Sequence, residues 1–246
     1  APSNEAPSNE APTRDAAARR ARAVVEAEPG TELARLLDIR IPDLVEYQNE
    51  RYAREYAEFV EQVRSREGAA GPVSEAVARN LYKLMAYKDE YEVARLSIDP
   101  RLLAEIEARF GEGSRYAYRL HPPVLRALGL DRKISLGPWF RPVFRMLRAS
   151  RKLRGTRFDP FGYAKVRRIE RALIGEYRDA IRCALDTVPA DHPMVLELAE
   201  LPDVVRGYED VKLANVTAYR QRQEELLGSL ARPYASGLAG QAAGSD

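Results

Sequence analysis

Apolar residues recur along this chain at helical intervals. Tyr52, Tyr56, Phe59 and Val63 follow one another at spacings of 4, 3 and 4, which sets them on one face of a helix. Asp43 is the expected N-cap of that helix, with Glu46 as its capping-box partner and Gly68 as its stop. Ser74 caps the next helix, with Glu75 near the positive end of the dipole. The run Leu81–Tyr87 is apolar on nearly all sides, as in a central, buried helix. Lys88 continues that stripe, four residues after Leu84 and seven after Leu81. It either pairs with Glu92 at i,i+4 or faces an interface or ligand. Pro100 opens a short helix to Phe110. Residues 114–121 alternate weakly and read as a short extended segment, with His121 extended ahead of two prolines and structural in role.

Residues 139–154 form the sharpest amphipathic pattern. Arg141, Arg145, Arg148 and Lys152, spaced 4, 3 and 4, make a cationic stripe beside an apolar face of Phe140, Phe144 and Leu147. Pro142 suits the first turn and Gly155 ends the helix. Asp159-Pro160 reads as the start of the next one, in which Ile169, Leu173, Tyr177, Ile181 and Leu185 recur every four residues. Cys183, on the edge beside Ala180 and Ala184, reads as a small packing residue. A long polar helix over 208–230 keeps only sparse apolar positions (Leu213, Val216, Leu227, Leu230), as expected at a surface or an interface. The N-terminus repeats Ala-Pro-Ser-Asn-Glu and reads as linker; a short helix follows over 16–28. The pattern predicts a mainly α, irregular multi-helix domain with at most a short extended segment near 114–121. Residues 1–39 are linker with a short helix, 40–231 a single helical domain and 232–246 a disordered tail.

Composition narrows the function. The formal charge is +2, from 39 basic and 37 acidic residues, which excludes a uniformly basic nucleic-acid coat. The distribution is uneven: residues 141–171 hold 11 basic and 2 acidic residues, and residues 186–210 hold 1 basic and 7 acidic. The two blocks either pair inside the fold or face a partner. The single cysteine excludes an intrachain disulfide, an all-cysteine iron–sulfur cluster and a four-cysteine zinc site, and fits a reducing cytoplasm. Two histidines leave little for metal binding. No apolar run approaches the roughly 20 residues that cross a bilayer, and no signal-peptide apolar stretch opens the chain. Without an initiator Met, the chain reads as a fragment or a processed product.

Motifs for nucleotide loops, zinc proteases and nucleophile elbows are absent. No catalytic or metal-ligating residue is assigned. The candidates for anion or partner binding are Arg141, Arg145, Arg148, Arg151, Lys152, Arg154 and Arg157, since arginine forms bidentate contacts to phosphate and carboxylate. Lys88, Asp89 and Glu92 are interface candidates. Nucleic acid and membrane are not expected partners, because no nucleic-acid motif accompanies the charge.

Three stretches carry a family resemblance. They are residues 78–96, beginning Ala78-Arg79-Asn80-Leu81-Tyr82-Lys83; residues 153–163, Leu153-Arg154-Gly155-Thr156-Arg157-Phe158-Asp159-Pro160-Phe161-Gly162-Tyr163, followed by Arg168, Glu170-Arg171-Ala172-Leu173-Ile174 and Glu176-Tyr177; and Leu201-Pro202, Arg206-Gly207-Tyr208, Val211-Lys212 and Ala214-Asn215-Val216. Together with Gly137-Pro138-Trp139 they resemble the C-terminal domain that follows the gamma-type domain in bacterial indolepyruvate ferredoxin oxidoreductases, over roughly residues 40–230. The resemblance implies a parent enzyme that oxidatively decarboxylates aryl-2-oxo acids with thiamine diphosphate. Electrons pass through iron–sulfur clusters to ferredoxin, and the acyl group goes to coenzyme A. Those cofactors belong to other domains of such an enzyme, since this chain has neither a cluster cysteine set nor a Gly-Asp-Gly diphosphate motif, so none is expected here. The implied partners are the catalytic domains or subunits of the same oxidoreductase. The implied role is assembly or docking, with coenzyme A phosphates or an acidic electron carrier as the alternative ligands of the basic block.

Overall fold

The computed structural model describes residues 10–111, 117–120, 134–207 and 209–241. The protein is mainly α, with ten α-helices among these residues and two three-residue strands. It divides into two compact units. One comprises residues 1–86 and 169–246, the other residues 87–168. The first of these units is discontinuous in sequence. Among the described residues, no helix is long and apolar enough to cross a membrane.

The discontinuous unit is built on α1 (Glu10–Arg22), α2 (Glu32–Tyr47), α3 (Glu50–Glu67) and α4 (Pro72–Met85). Each buries one stripe: Leu33, Leu37, Ile41 and Leu44 from α2, Ala53, Tyr56, Val60 and Val63 from α3, and Val73, Val77, Leu81 and Leu84 from α4. The core begins well before residue 40, because Ala17, Ala18 and Ala21 of α1 are buried in it. Asp43 is not an N-cap. Pro42 sits inside α2, and the break comes later, where Asn49 Oδ1 accepts the Tyr52 N–H at 2.9 Å. Pro42 costs one helical hydrogen bond at Asp38, which is exposed. Ser74 lies one turn inside its helix; the Glu67 carboxylate instead accepts the N–H groups of Val73 and Ser74 at 3.0 Å each. Gly68 ends α3 at φ 84°, as the sequence pattern predicts.

The unit is completed by α8 (Lys165–Thr187, from Ile169), α9 (Pro193–Glu200), a 3-10 turn (Leu201–Val204) and α10 (Glu209–Gln241). Leu173, Tyr177 and Ile181 bury the predicted stripe of α8. Cys183 is exposed rather than packed: Ala180 and Ala184 take the buried positions, and one residue's rotation turns Cys183 outward. Helix α10 runs on into the stretch expected to be a disordered tail. Its buried positions include Tyr219 and Leu226, which the sparse apolar pattern missed.

The second unit holds α5 (Glu90–Ser97), α6 (Pro100–Phe110), strands β1 (Tyr118–Leu120) and β2 (Ile134–Leu136), and α7 (Arg141–Ala149). The strands pair antiparallel with Tyr118 opposite Leu136. One 3-10 turn (Pro138–Phe140) precedes α7 and another (Ser150–Leu153) follows it. Helix α5 packs on α7. Phe144 is buried, with the Tyr118 and Phe140 rings edge-on at 4.9 and 5.0 Å. Helix α6 spans the residues predicted for it, capped by Asp99 ahead of Pro100. Of the extended segment predicted over 114–121, residues 118–120 form β1, whereas 114–116 and His121 lie outside the described residues.

Candidate functional site

The helix expected to run through Lys88 stops at Met85, and α5 starts afresh at Glu90. Asp89 causes the restart. Its Oδ1 accepts the Glu92 N–H at 2.8 Å, satisfying an otherwise orphaned donor of the first turn. Asp89, three residues ahead of Glu92, is a capping signal that the apolar run obscured. Lys88 lies in the connecting stretch and is exposed. Glu92 does not pair with it; the carboxylate takes both Nε and Nη2 of Arg95, at 2.8 and 2.6 Å, in the interior.

Asp89 also receives Arg154. The guanidinium donates from Nε to Oδ2 at 2.5 Å and from Nη2 to Oδ1 at 2.8 Å, and both residues are buried. The guanidinium lies 5.5 Å from the Tyr91 ring centroid. Tyr91 donates its hydroxyl to Asp159 Oδ1 at 3.2 Å. Asp159 does not start a helix, since α8 begins at Lys165. It instead holds a turn, accepting the N–H groups of Gly155 at 2.9 Å and Phe161 at 3.1 Å. Gly155 has φ 74°, which suits a residue without Cβ. Burial and the neighbouring Asp159 carboxylate raise the Tyr91 phenol well above its ordinary range. Burial likewise pushes the Glu90 carboxyl up, against the pull of Arg167 at 3.5 Å. In this interior cluster Asp89 and Asp159 act as acceptors that fix backbone and guanidinium.

The basic candidates therefore separate. Arg154 is interior and paired, so it is withdrawn as a ligand for phosphate or partner. Asp89 and Glu92 are withdrawn as interface residues for the same reason. Arg141, Arg148 and Arg151 are half-buried. Arg145, Lys152 and Arg157 are exposed. The expected cationic stripe is thus split between the flank and the outer side of α7. The outer side carries something the sequence pattern did not single out: Trp139, Met146 and Leu153 are 70, 61 and 38 % exposed. Met146 lies in α7, Trp139 in the 3-10 turn before it and Leu153 in the 3-10 turn after it. Exposed Trp139 precedes half-buried Phe140 and buried Phe144.

The acidic block finds partners elsewhere: Asp186 with Arg66 at 2.8 Å, Glu197 with Arg222 at 2.6 Å, and Asp203 with Lys83 at 3.2 Å. Among the described residues, no group of three His, Cys, Asp or Glu side chains is placed to hold a metal ion.

The residues that carry the family resemblance hold one another. Asp89–Arg154 and Tyr91–Asp159 join the first stretch to the second. Lys83 donates to the carbonyls of Pro202 and Asp203 at 3.1 and 3.0 Å, joining the first to the third. Buried Glu170 pairs with Lys212, joining the second to the third. Residues 33–225 match a family of unknown function, DUF6537. No curated protein and no solved structure matches the chain.

Proposed function

We propose, for a chain that belongs to that family, a noncatalytic accessory role in a cytoplasmic 2-oxoacid:ferredoxin oxidoreductase of the indolepyruvate type. The domain docks on the catalytic domains and supports their assembly. Thiamine diphosphate and iron–sulfur clusters would be held by those other domains. One observation carries the reading: the three stretches that resemble this enzyme family are the ones whose polar side chains lock to each other inside the two units. Residues shared for folding rather than chemistry would be placed in this way. The coenzyme A alternative loses ground with Arg154 buried on Asp89, since it drew on the arginines around that position.

The test is to purify the full-length product of the gene and assay indolepyruvate-dependent reduction of methyl viologen with coenzyme A present. A pull-down with the separately expressed 246-residue chain accompanies it. The expected result is viologen reduction together with retention of the catalytic polypeptide on the chain. Absence of both overturns the reading.

A further inference from the structure

We infer that the outer surface of the turn over residues 152–165 is where this chain docks on its catalytic partner, and that the partner presents carboxylates around an apolar recess there. The inference rests on the accessory reading and adds to it a site and a chemistry. The turn is fixed from inside. Arg154 is closed on Asp89, Asp159 accepts the Gly155 and Phe161 N–H groups, and the Phe161 ring stands edge-on to Tyr91 at 5.2 Å. Tyr163 donates its hydroxyl to the Arg157 carbonyl at 2.6 Å. That carbonyl belongs to the peptide joining Arg157 to Phe158, so Phe158 and Tyr163 share one end of the turn. Their side chains are not used in the interior: they are 71 and 68 % exposed, and Leu153 and Pro160 are exposed with them. Apolar side chains gathered this closely make a patch rather than a scatter. Lys152, Arg157 and Lys165 are exposed on the same turn, and exposed Lys88 is brought to its base by the Asp89–Arg154 pair. Among the described residues, none of these four side chains has a hydrogen bond or an ion pair. The acid within the turn, Asp159, is buried.

Charge and ring geometry decide the occupant. A protein surface with carboxylates around an apolar recess meets both the cations and the rings, and aromatic residues with arginine dominate the energetics of such contacts. The Arg157 guanidinium lies over the Phe158 ring, 5.7 Å from its centroid. An arginine stacked in this way offers its planar fork to a carboxylate with little further loss of entropy. A second copy of the face would set cations against cations, with no exposed acid in the turn to relieve them. A nucleic-acid strand stacks its bases on open ring faces, and Arg157 occupies one face of Phe158. A bilayer is entered by a continuous apolar face, whereas here Lys152 adjoins Leu153 and Arg157 adjoins Phe158. The turn is already rigid, so docking forfeits little conformational freedom. It also lies in a unit of 19 basic and 9 acidic residues, whose field draws carboxylates and makes the contact salt-dependent.

The test measures binding of the separately expressed catalytic polypeptide to the immobilised 246-residue chain, at 50 and 300 mM salt. The expected result is retention by the parent chain that weakens about tenfold over that range. Arg157→Glu/Lys165→Glu and Phe158→Ser should each lose at least tenfold in affinity with unchanged unfolding midpoints. Arg19→Glu/Arg51→Glu, which makes the same change in net charge on exposed positions of α1 and α3, should bind as the parent does. Turn variants that bind as the parent does overturn the proposal and leave the accessory reading standing. So does a loss equally large in the α1/α3 control, which would make net charge the cause. Failure of the parent chain to hold the catalytic polypeptide also overturns the proposal, and the accessory reading falls with it only if viologen reduction is absent too. The proposal is equally overturned if the turn variants abolish binding to single-stranded RNA, to phosphatidylserine vesicles or to a second copy of the chain while retention of the catalytic polypeptide is unchanged.

Discussion

Replacing Asp89 tests the interior cluster most directly. Asp89→Ala removes two things at once. The N-cap bond to Glu92 N–H is worth about 1 kcal/mol. The second loss is larger: the Arg154 guanidinium, buried and bonded twice to Asp89, loses the carboxylate that closes on it, which costs about 3–5 kcal/mol. The sum, about 4–6 kcal/mol, is comparable with the whole stability of many domains. Asp89→Asn keeps a capping oxygen and should lose only the larger part. Arg154→Met strands the Asp89 carboxylate and should cost a similar amount. The double variant Asp89→Asn/Arg154→Met removes both charges of the pair and strands neither, so it should fall within about 1–2 kcal/mol of the parent. Hydrogen exchange read by mass spectrometry over residues 90–97 is the assay. Each single variant should lower protection there by roughly two to four orders of magnitude, at 1.36 kcal/mol per decade. A loss below about 1 kcal/mol in the single variants would refute the reasoning. So would a double variant that simply adds the two losses.

Other outcomes follow from particular packing and ionisation. Phe144→Ala should destabilise the second unit by about 3–5 kcal/mol, since it empties a buried position between two edge-on rings; urea denaturation followed by circular dichroism measures it. Gly207 has φ 90°, and an added Cβ would lie 2.8 Å from Val211 Cγ1; Gly207→Ala should cost about 1–3 kcal/mol in a thermal unfolding scan, and an unchanged midpoint would contradict it. Burial raises the phenols of Tyr56, Tyr177 and Tyr219. Their contribution to stability is complete below the unfolded-chain value of about 10 and is lost as pH rises through the folded values. Alkaline titration should therefore show these tyrosinates at 295 nm only as helical ellipticity is lost. The Asp203 carboxyl is held low by the Lys83 hydrogen bond and by Arg206. Its contribution is present above about pH 4 and disappears as pH falls through the lowered value, so Lys83→Met should flatten the acid limb of the stability curve.

Helix identity was the most legible feature. The stripes of α3, α4 and α8 obey a local rule, because a helix can bury only residues that return every 3.6 positions. Tyr56, Val63, Leu81, Leu173 and Ile181 were readable for that reason and are buried. Helix ends were less so. Asp43 and Ser74 have the right chemistry for caps but sit inside their helices, while Asn49 and the distant Glu67 carboxylate do the capping. Several residues compete to satisfy the same orphan N–H groups, and packing selects among them.

The surface showed the same division. The amphipathic character of residues 139–154 was visible in the spacing of Arg141, Arg145, Arg148 and Lys152. Which side faces water was not, because spacing defines faces only relative to one another. Packing of α7 on α5 buries Phe144, half-buries Arg148, and turns Trp139 and Met146 outward. Likewise the +2 net charge hid two blocks that composition could locate but not pair. Arg154 lies 65 residues from Asp89 in the chain, and Lys83 about 120 from Asp203. Local periodicity carries no information over such separations. The chain alone defined its helices and its charge blocks; the long-range contacts decided which charges became interior ties and which stayed in water, because desolvation favours a buried ion only where a partner closes on it.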